Sequence, residues 1–266
     1  MEKEKEKDTS ETVKANEIAD FILDTGAFLM ASGAHSGRVW RNCKRIAGRY
    51  GYHLNINPTF TGILVSVWDK NDDSNAVTRY KTSPQNLVHL EVLTLISHLS
   101  WRIADGITSF ADARVELEGI KKQKHYPFWF VAFMVGVSCA CLCVLAGGNV
   151  VDAGITFLAA MVGSLVKYYI TRKNFNQFLA VIVASCATTM IAGADTILGI
   201  GKLPEITLAT SVLYLIPGVP LINSVIDLLE GYFSASIARS LYAASVLLCI
   251  AVGMTLSITL LGISKF

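Results

Sequence analysis

Three polar residues, Asn223, Asp227 and Glu230, stand four and three positions apart in an apolar stretch of the chain. On a helix this spacing puts an amide and two carboxylates on one stripe, where they could bind a small solute or carry a proton. Helix breakers precede the stripe, namely Pro217, Gly218 and Pro220. A broken helix frees backbone carbonyls, which survive in lipid only beside protein or a water-filled cavity, as in many transporters. We therefore expect these residues to form part of a substrate or proton pathway. A plain proline kink followed by interfacial charges is the alternative.

Asp195 is another acid inside an apolar segment. A charge at mid-membrane costs about 2.5–3.5 kcal/mol on insertion scales and usually marks a pathway. Asp195 therefore joins the predicted pathway, with a position at the outer water–lipid interface as the alternative. Asn149 and Asp152 begin a different apolar segment, and we interpret them as a helix cap.

No group of residues predicts a metal site or a cofactor. Cys139, Cys141 and Cys143 alternate along a helical segment. Successive members of this set are turned by about 200°, so the three cannot converge on one ion. The sequence also lacks HExxH, GxSxG, P-loop and dinucleotide-binding patterns. We therefore expect neither an enzyme nor a nucleotide-driven pump.

The elements that must position the polar stripe are apolar. Of the 266 residues 52% are hydrophobic, and the mean hydropathy of +0.47 is typical of a membrane protein. Most charged residues lie before residue 125, and five later segments are long and apolar enough to cross a bilayer. The predicted spans are 127–146, 151–170, 177–200, 206–225 and 239–262. The helix breakers fall in the fourth.

The earlier part of the chain has a different pattern. Residues 1–16 alternate charges and predict a disordered tail. Residues 17–125 contain amphipathic helical segments around three short alternating strands, in the order ααβββαα. Within them, the unusual segment ASGAHSGR (31–38) is interpreted as a capped turn between two helices. The expected fold is an α-helical membrane protein, in which a small cytoplasmic α+β domain precedes a transmembrane domain over 126–266. That domain is a five-helix bundle with a broken fourth helix.

Basic residues indicate the orientation of the spans. Lysines and arginines concentrate at 121–124, 172–173 and 239, all on the side of the amino terminus. The positive-inside rule then predicts a multi-pass protein of the cytoplasmic (inner) membrane, with its amino-terminal domain in the cytoplasm and its carboxyl terminus outside. An anchor needs only one span, so five spans with a break favour a secondary transporter over a membrane-tethered regulatory or enzymatic module.

The segment PGVPLINSVIDLLEGYFSASIARSLYAA resembles the membrane signature of the threonine/serine exporter family, PGxxxxNxxxDxxxGxxxxGxxR. Ile226 and Ser236 depart from the residues that are common in that family, arginine and glycine respectively. GGNVVDAGITFLAA is similar to the family's first outer turn, and ADGITSFADARVELEGI is similar to the end of its cytoplasmic domain. The matching residues of the signature are Pro217, Gly218, Asn223, Asp227, Gly231 and Arg239.

This resemblance implies export of a small amino acid such as threonine or serine, coupled to the proton gradient. Some split members are associated with dicarboxylate (succinate) export, which is the alternative substrate class. Complete members have two five-span halves, whereas this chain resembles the amino-terminal half of the split form. The resemblance therefore implies a partner in the lipid bilayer and no nucleic-acid partner. The partner would be a separate small membrane protein that supplies the second half, or further copies of this chain.

Overall fold

The structure, a computed structural model, describes residues 13–70, 76–83, 88–124 and 126–263. Most of the tail predicted over 1–16 lies outside these ranges. By its internal contacts the chain forms two compact units. The first contains the described residues up to Lys124 together with Val219–Ser240, and the second contains those of 125–218 and 241–266. The sequence predicts one boundary at 125/126, but a late segment of the chain packs with the early one.

The early part of the first unit has the predicted order ααβββαα. Its central strand buries Ile63, Val65 and Val67 on one face, because side chains alternate along a strand. Helix α1 covers that face and adds Ile18 and Ile22 to the core. The sheet is antiparallel in the order β1-β2-β3. The elements are α1 (Ala15–Ala31), α2 (Ser36–Arg49), β1 (Tyr52–Pro58), β2 (Gly62–Asp69), β3 (Ala76–Thr82), α3 (Leu90–Ala104) and α4 (Phe110–Lys121).

A tight turn joins α1 to α2, and the predicted capped turn in ASGAHSGR is confirmed. Gly33 has a φ of +97°, a left-handed conformation that favours glycine. His35 is the N-cap of α2, where its Nδ1 accepts a hydrogen bond from the Arg38 amide at 3.4 Å. The carbonyls of Gly33 and Ala34 precede this cap, and the Ser36 amide opens the helix.

The second unit consists of membrane-type helices. They are α5 (Phe128–Leu145), α6 (Val150–Arg172), α7 (Gln177–Leu198), α8 (Pro204–Ser211), a 3-10 turn (Leu213–Leu215) and the part of α10 (Phe233–Leu261) that follows Ser240. Helix α9 (Gly218–Leu229) lies between the 3-10 turn and α10, and from Val219 onward it belongs to the first unit.

Four helices of the described chain, α5, α6, α7 and α10, are long and apolar enough to cross a membrane. A fifth span results only if Pro204–Leu215 and Gly218–Leu229 are counted as one broken span. Pro204–Leu215 alone would reach about 18 Å at 1.5 Å per residue, less than the roughly 30 Å of hydrocarbon in a bilayer. The fourth predicted span, 206–225, is therefore not one continuous helix. Helix α10 begins at Phe233, before the predicted start at 239.

Small residues allow the helices of the second unit to approach closely. A Cβ on Gly136 would lie 2.9 Å from the carbonyl oxygen of Phe157 on α6. A Cβ on Gly253 would overlap the carbonyl oxygen of Ile182 on α7. Large apolar side chains of these helices remain exposed, as expected of surfaces that meet lipid, among them Trp129, Phe133, Leu158, Leu248 and Leu256.

Candidate functional site

The predicted break lies between the 3-10 turn and α9. The Gly218 amide donates to the Ile216 carbonyl at 2.8 Å, so the chain turns tightly at Pro217 and a new helix starts at Gly218. Pro220 occupies the third position of α9, where a helix does not use the backbone N–H. The helix is therefore interrupted at Pro217, while Pro220 is compatible with the first turn of the new helix.

Asn223 and Asp227 share one buried face of α9, as their spacing predicts. The Asn223 Nδ2 donates to the Gly33 carbonyl at 2.8 Å. The Asp227 Oδ1 accepts a hydrogen bond from the Ser36 amide at 2.8 Å. Both partners belong to the turn between α1 and α2. The two unusual segments of the sequence, 31–38 and 217–230, thus meet within the first unit.

Arg239, in the first turns of α10, completes this contact. Its Nε lies 3.1 Å from the Asp227 Oδ2, and its Nη2 donates a hydrogen bond to the Ala34 carbonyl at 3.1 Å. Asp227 is fully buried and Arg239 is 8% exposed, so the pair is shielded from water. In the sequence Arg239 is a flanking basic residue and a motif match. Its motif position, twelve residues after Asp227, is the signal of a role in the site.

Glu230 lies one turn beyond Asp227 and contacts His35 and Arg41 of the first unit. Its carboxylate is 3.1 Å from His35 Nδ1 and accepts a hydrogen bond from Arg41 at 2.9 Å. Partial burial acts to raise the pKa of Glu230, but the Arg41 hydrogen bond and the nearby charges outweigh it and lower this pKa. The Glu230 carboxylate packs against Gly37. A Cβ on Gly37 would overlap this carboxylate, so the glycine leaves the space that it occupies.

We call the set Asn223, Asp227, Glu230 and Arg239 the turn clamp, because all four side chains hold the turn between α1 and α2. Ligand atoms of His35, Asp227 and Glu230 also lie within 4.8 Å of one another, a spacing that a metal ion could use. Two arginines already neutralise both carboxylates, however, and would repel a cation. The donor set fits an ion-pair network better than a metal centre. The buried guanidinium of Arg239 could exchange the Asp227 carboxylate for another carboxylate.

Asp195 belongs to a separate arrangement, in the second unit. It is buried near the end of α7, and its Oδ1 accepts a hydrogen bond from the Gly201 amide at 2.6 Å. Asp152, at the start of α6, forms the predicted cap with Asn149, in which each backbone amide donates to the other side chain at 2.8 Å. Asp152 also contacts the loop before α8, because its Oδ1 accepts hydrogen bonds from the amides of Lys202 and Leu203 at 3.0 and 3.4 Å.

The sequence does not indicate Asp152 as a candidate site residue. A first-turn acid next to Asn149 is fully explained by capping, and nothing in the sequence connects it with a loop fifty residues later. Of the predicted pathway residues, the structure thus brings Asn223, Asp227 and Glu230 together and places Asp195 in the other unit.

Comparisons with known proteins identify relatives along nearly the whole chain. The family described as "Putative threonine/serine exporter" matches residues 20–261. A protein of Klebsiella aerogenes named "Probable succinate transporter subunit YjjP" is 27% identical over 247 residues, covering 92% of this chain and 95% of its own. The protein of the same name from Escherichia coli (strain K12) is 27% identical over 254 residues, covering 95% and 98%. No solved structure gives a significant match.

The family match extends from α1 to the last residue of α10, so it includes both units and both groups of polar residues. It agrees with the apolar helices in indicating a multi-pass membrane transporter rather than an enzyme. The chain belongs to the threonine/serine exporter family.

Proposed function

We propose that this chain is one subunit of a secondary exporter for a small carboxylate solute, driven by the proton gradient. A dicarboxylate such as succinate is the leading substrate class. The observation that carries this choice is the match along nearly the whole length of two proteins named as succinate transporter subunits. The family description supports threonine or serine as the second candidate.

Both substrate classes carry a carboxylate, and a buried arginine is well suited to bind one. We place the solute at the turn clamp, where Arg239 Nε already lies 3.1 Å from the Asp227 carboxylate. A solute carboxylate would take the place of Asp227 on Arg239, and Asn223 would hydrogen-bond its other end. Pro217, Gly218 and Pro220 would let α9 move as this exchange occurs. Glu230, held by Arg41 and His35, would keep the clamp closed without solute.

The transporter would be completed by other spans in the same bilayer. The word "subunit" in the relatives' names supports a separate small membrane protein that supplies the second half, and a homo-oligomer is the alternative. Crosslinking in native membranes should give one discrete oligomer, whose composition distinguishes the two. A chain that transports at full rate as a monomer in liposomes would refute this assembly.

We place the protein in the inner membrane, with its amino terminus in the cytoplasm and its carboxyl terminus outside. Single cysteines at residue 10 and at the carboxyl terminus, in a background with the natural cysteines replaced, should react with an impermeant reagent from opposite sides. Reaction of both from one side would leave an even number of spans and refute the proposed topology.

The decisive test of the activity is solute efflux. Vesicles containing the chain and its partner are loaded with labelled succinate, threonine or serine, and efflux is followed with and without a pH gradient. We expect succinate to leave severalfold faster than from vesicles lacking the chain, and only with the gradient. Faster efflux of threonine and serine alone would favour the second substrate class. Equal efflux of all three from both kinds of vesicle would refute the function.

Asn223→Ala tests the site in the same assay. Loss of one neutral hydrogen bond, worth about 0.5–1.5 kcal/mol, should raise KM by up to about tenfold and leave the maximal rate nearly unchanged. Glu118→Gln is the matched control, because Glu118 is an exposed acid of the first unit outside the clamp. An unchanged KM for the Asn223 variant would place the solute elsewhere.

A further inference from the structure

The loop between α7 and α8, residues 199–203, is held by two buried acids on different helices. Asp195 from α7 binds the Gly201 amide, and Asp152 from α6 binds the next two amides of the loop. Asp195 is 2% exposed and Asp152 is fully buried. Helix α8 begins immediately after the loop, at Pro204.

The two carboxylates are close to each other as well as to the loop. Asp152 Oδ1 and Asp195 Oδ2 both lie under 3.0 Å from the point where a Cβ on Gly201 would stand. A side chain at 201 would therefore have to displace the two carboxylates. Two carboxylates that meet in a buried site repel strongly, and one of them keeps a proton in such pairs.

The hydrogen bonds distinguish the two acids. Asp152 accepts three backbone N–H bonds, from Asn149, Lys202 and Leu203, so both of its oxygens already have hydrogen-bond donors. Asp195 accepts only the Gly201 amide on Oδ1, and its buried Oδ2 has no hydrogen-bond partner among the described residues. A buried oxygen that lies near a second carboxylate and has no donor of its own is a place for a proton.

From this geometry we propose that Asp152 and Asp195 share one proton, carried on Asp195 Oδ2, and that this pair is the coupling-ion site of the transporter. The proposal deepens the proposed function, because it supplies the group that responds to the proton gradient. A proton fits better than a metal cation, since four backbone N–H groups point at these oxygens and would repel a cation.

Other titratable groups on the packed elements do not replace the pair. Among the described residues, Cys143 on α5 is buried close to Asp152, since both approach the Cβ position of Gly148. Lys202 in the loop and Glu205 on α8 are exposed. Loss of the shared proton would leave two facing negative charges whose repulsion is relieved only if the loop moves. Proton release would thereby shift the start of α8, the helix that leads to the break at Pro217.

Infrared difference spectroscopy of the purified full-length protein tests the pair without any transport measurement. Wild type should show a protonated-carboxyl band. Asp195→Asn should lose this band, whereas Glu205→Gln, which removes an exposed acid next to the same loop, should keep it. A band unchanged by Asp195→Asn would overturn the proposal.

Gly201→Ala provides a second test if Asp195→Asn does not fold. It keeps both acids but places a methyl group where their oxygens approach, and Gly201 has no positive φ that would strain alanine. The band should be lost or strongly shifted, and persistence at its wild-type position would overturn the pair. The band is also measured with sodium in place of choline at constant pH. If sodium removes the wild-type band, the site binds a metal cation and the proposed proton pair is overturned.

The two proposals can fail separately. A wild-type band together with no solute efflux would refute the proposed function and leave the proton pair standing. Gradient-driven efflux with no band in wild type would overturn only the pair.

Discussion

Replacing Asp227 with asparagine tests the ion pair at the centre of the turn clamp. The change keeps the size of the side chain and an oxygen for the Ser36 amide. It removes the charge that neutralises Arg239, whose remaining hydrogen bond within the described part of the chain is to the Ala34 carbonyl. The perturbation is therefore the appearance of one uncompensated buried guanidinium.

The burial of both residues determines the expected cost. Removing one partner of a buried pair costs about 3–5 kcal/mol of unfolding free energy, because the remaining charge has been taken out of water. Asp227 is fully buried and Arg239 is 8% exposed, so this range applies rather than the small values of surface pairs. For a protein of this size each kcal/mol shifts Tm by about 2–4 °C, which gives a loss of about 6–20 °C.

Thermal unfolding of the detergent-purified variants provides the assay. Arg239→Gln should cost a similar amount, and the double variant Asp227→Asn/Arg239→Gln should cost clearly less than the sum, because no lone charge remains. Glu118→Gln, which breaks an exposed pair with Lys121, should stay within about 1 kcal/mol of wild type. The buried-pair reasoning would be refuted if Asp227→Asn shifted Tm as little as Glu118→Gln does. It would also be refuted if the cost of the double variant equalled the sum of the costs of the two single variants.

Three further variants test other contacts. Because its pKa is lowered in the folded protein, Glu230 contributes stability that is present above its ordinary value of 4.5 and lost as pH falls through the lowered value. Tm measured as a function of pH should therefore fall less on the acid side for Glu230→Gln than for wild type, and parallel curves would contradict the ion-pair assignment. Gly253→Ala should destabilise by about 1–3 kcal/mol, because its Cβ meets the Ile182 carbonyl on α7. At Gly154 no described atom lies within 4 Å of an added Cβ, so Gly154→Ala should raise the unfolding free energy by about 0.5–1 kcal/mol in the same melts. Equal effects of the two substitutions would argue against the close α7–α10 contact.

The long apolar helices and the α+β order could be predicted because hydropathy and periodicity are local properties of the sequence. Helices α5, α6 and α7 end within two residues of the predicted spans. The interruption at Pro217 was also predictable, since proline and glycine act on their own backbone. The direction of α9 was not, because it depends on side-chain bonds from Asn223 and Asp227 to backbone groups about 190 residues earlier.

Asp152 and Asp195 show the same limit in the second unit. Each has a sufficient local explanation, one as a cap and the other as an acid near a helix end. Their approach depends on how α6 and α7 pack and on Gly201, whose lack of a side chain leaves the space for both carboxylates. No short-range sequence pattern marks such a pair, because the two acids come together only when α6 and α7 pack.

The hydrogen bond between Ser36 and Asp227 spans 191 residues, which has a consequence for biosynthesis. At about 5–20 residues per second a ribosome needs roughly 10–40 seconds to reach Asp227 after making Ser36. During that time the turn between α1 and α2 must keep its Gly33 and Ala34 carbonyls hydrated, while the apolar helices from α5 to α8 are already leaving the ribosome. The first unit can therefore reach its final form only after the ribosome has made the chain as far as Arg239, so synthesis of the late segment sets the moment at which its folding is complete.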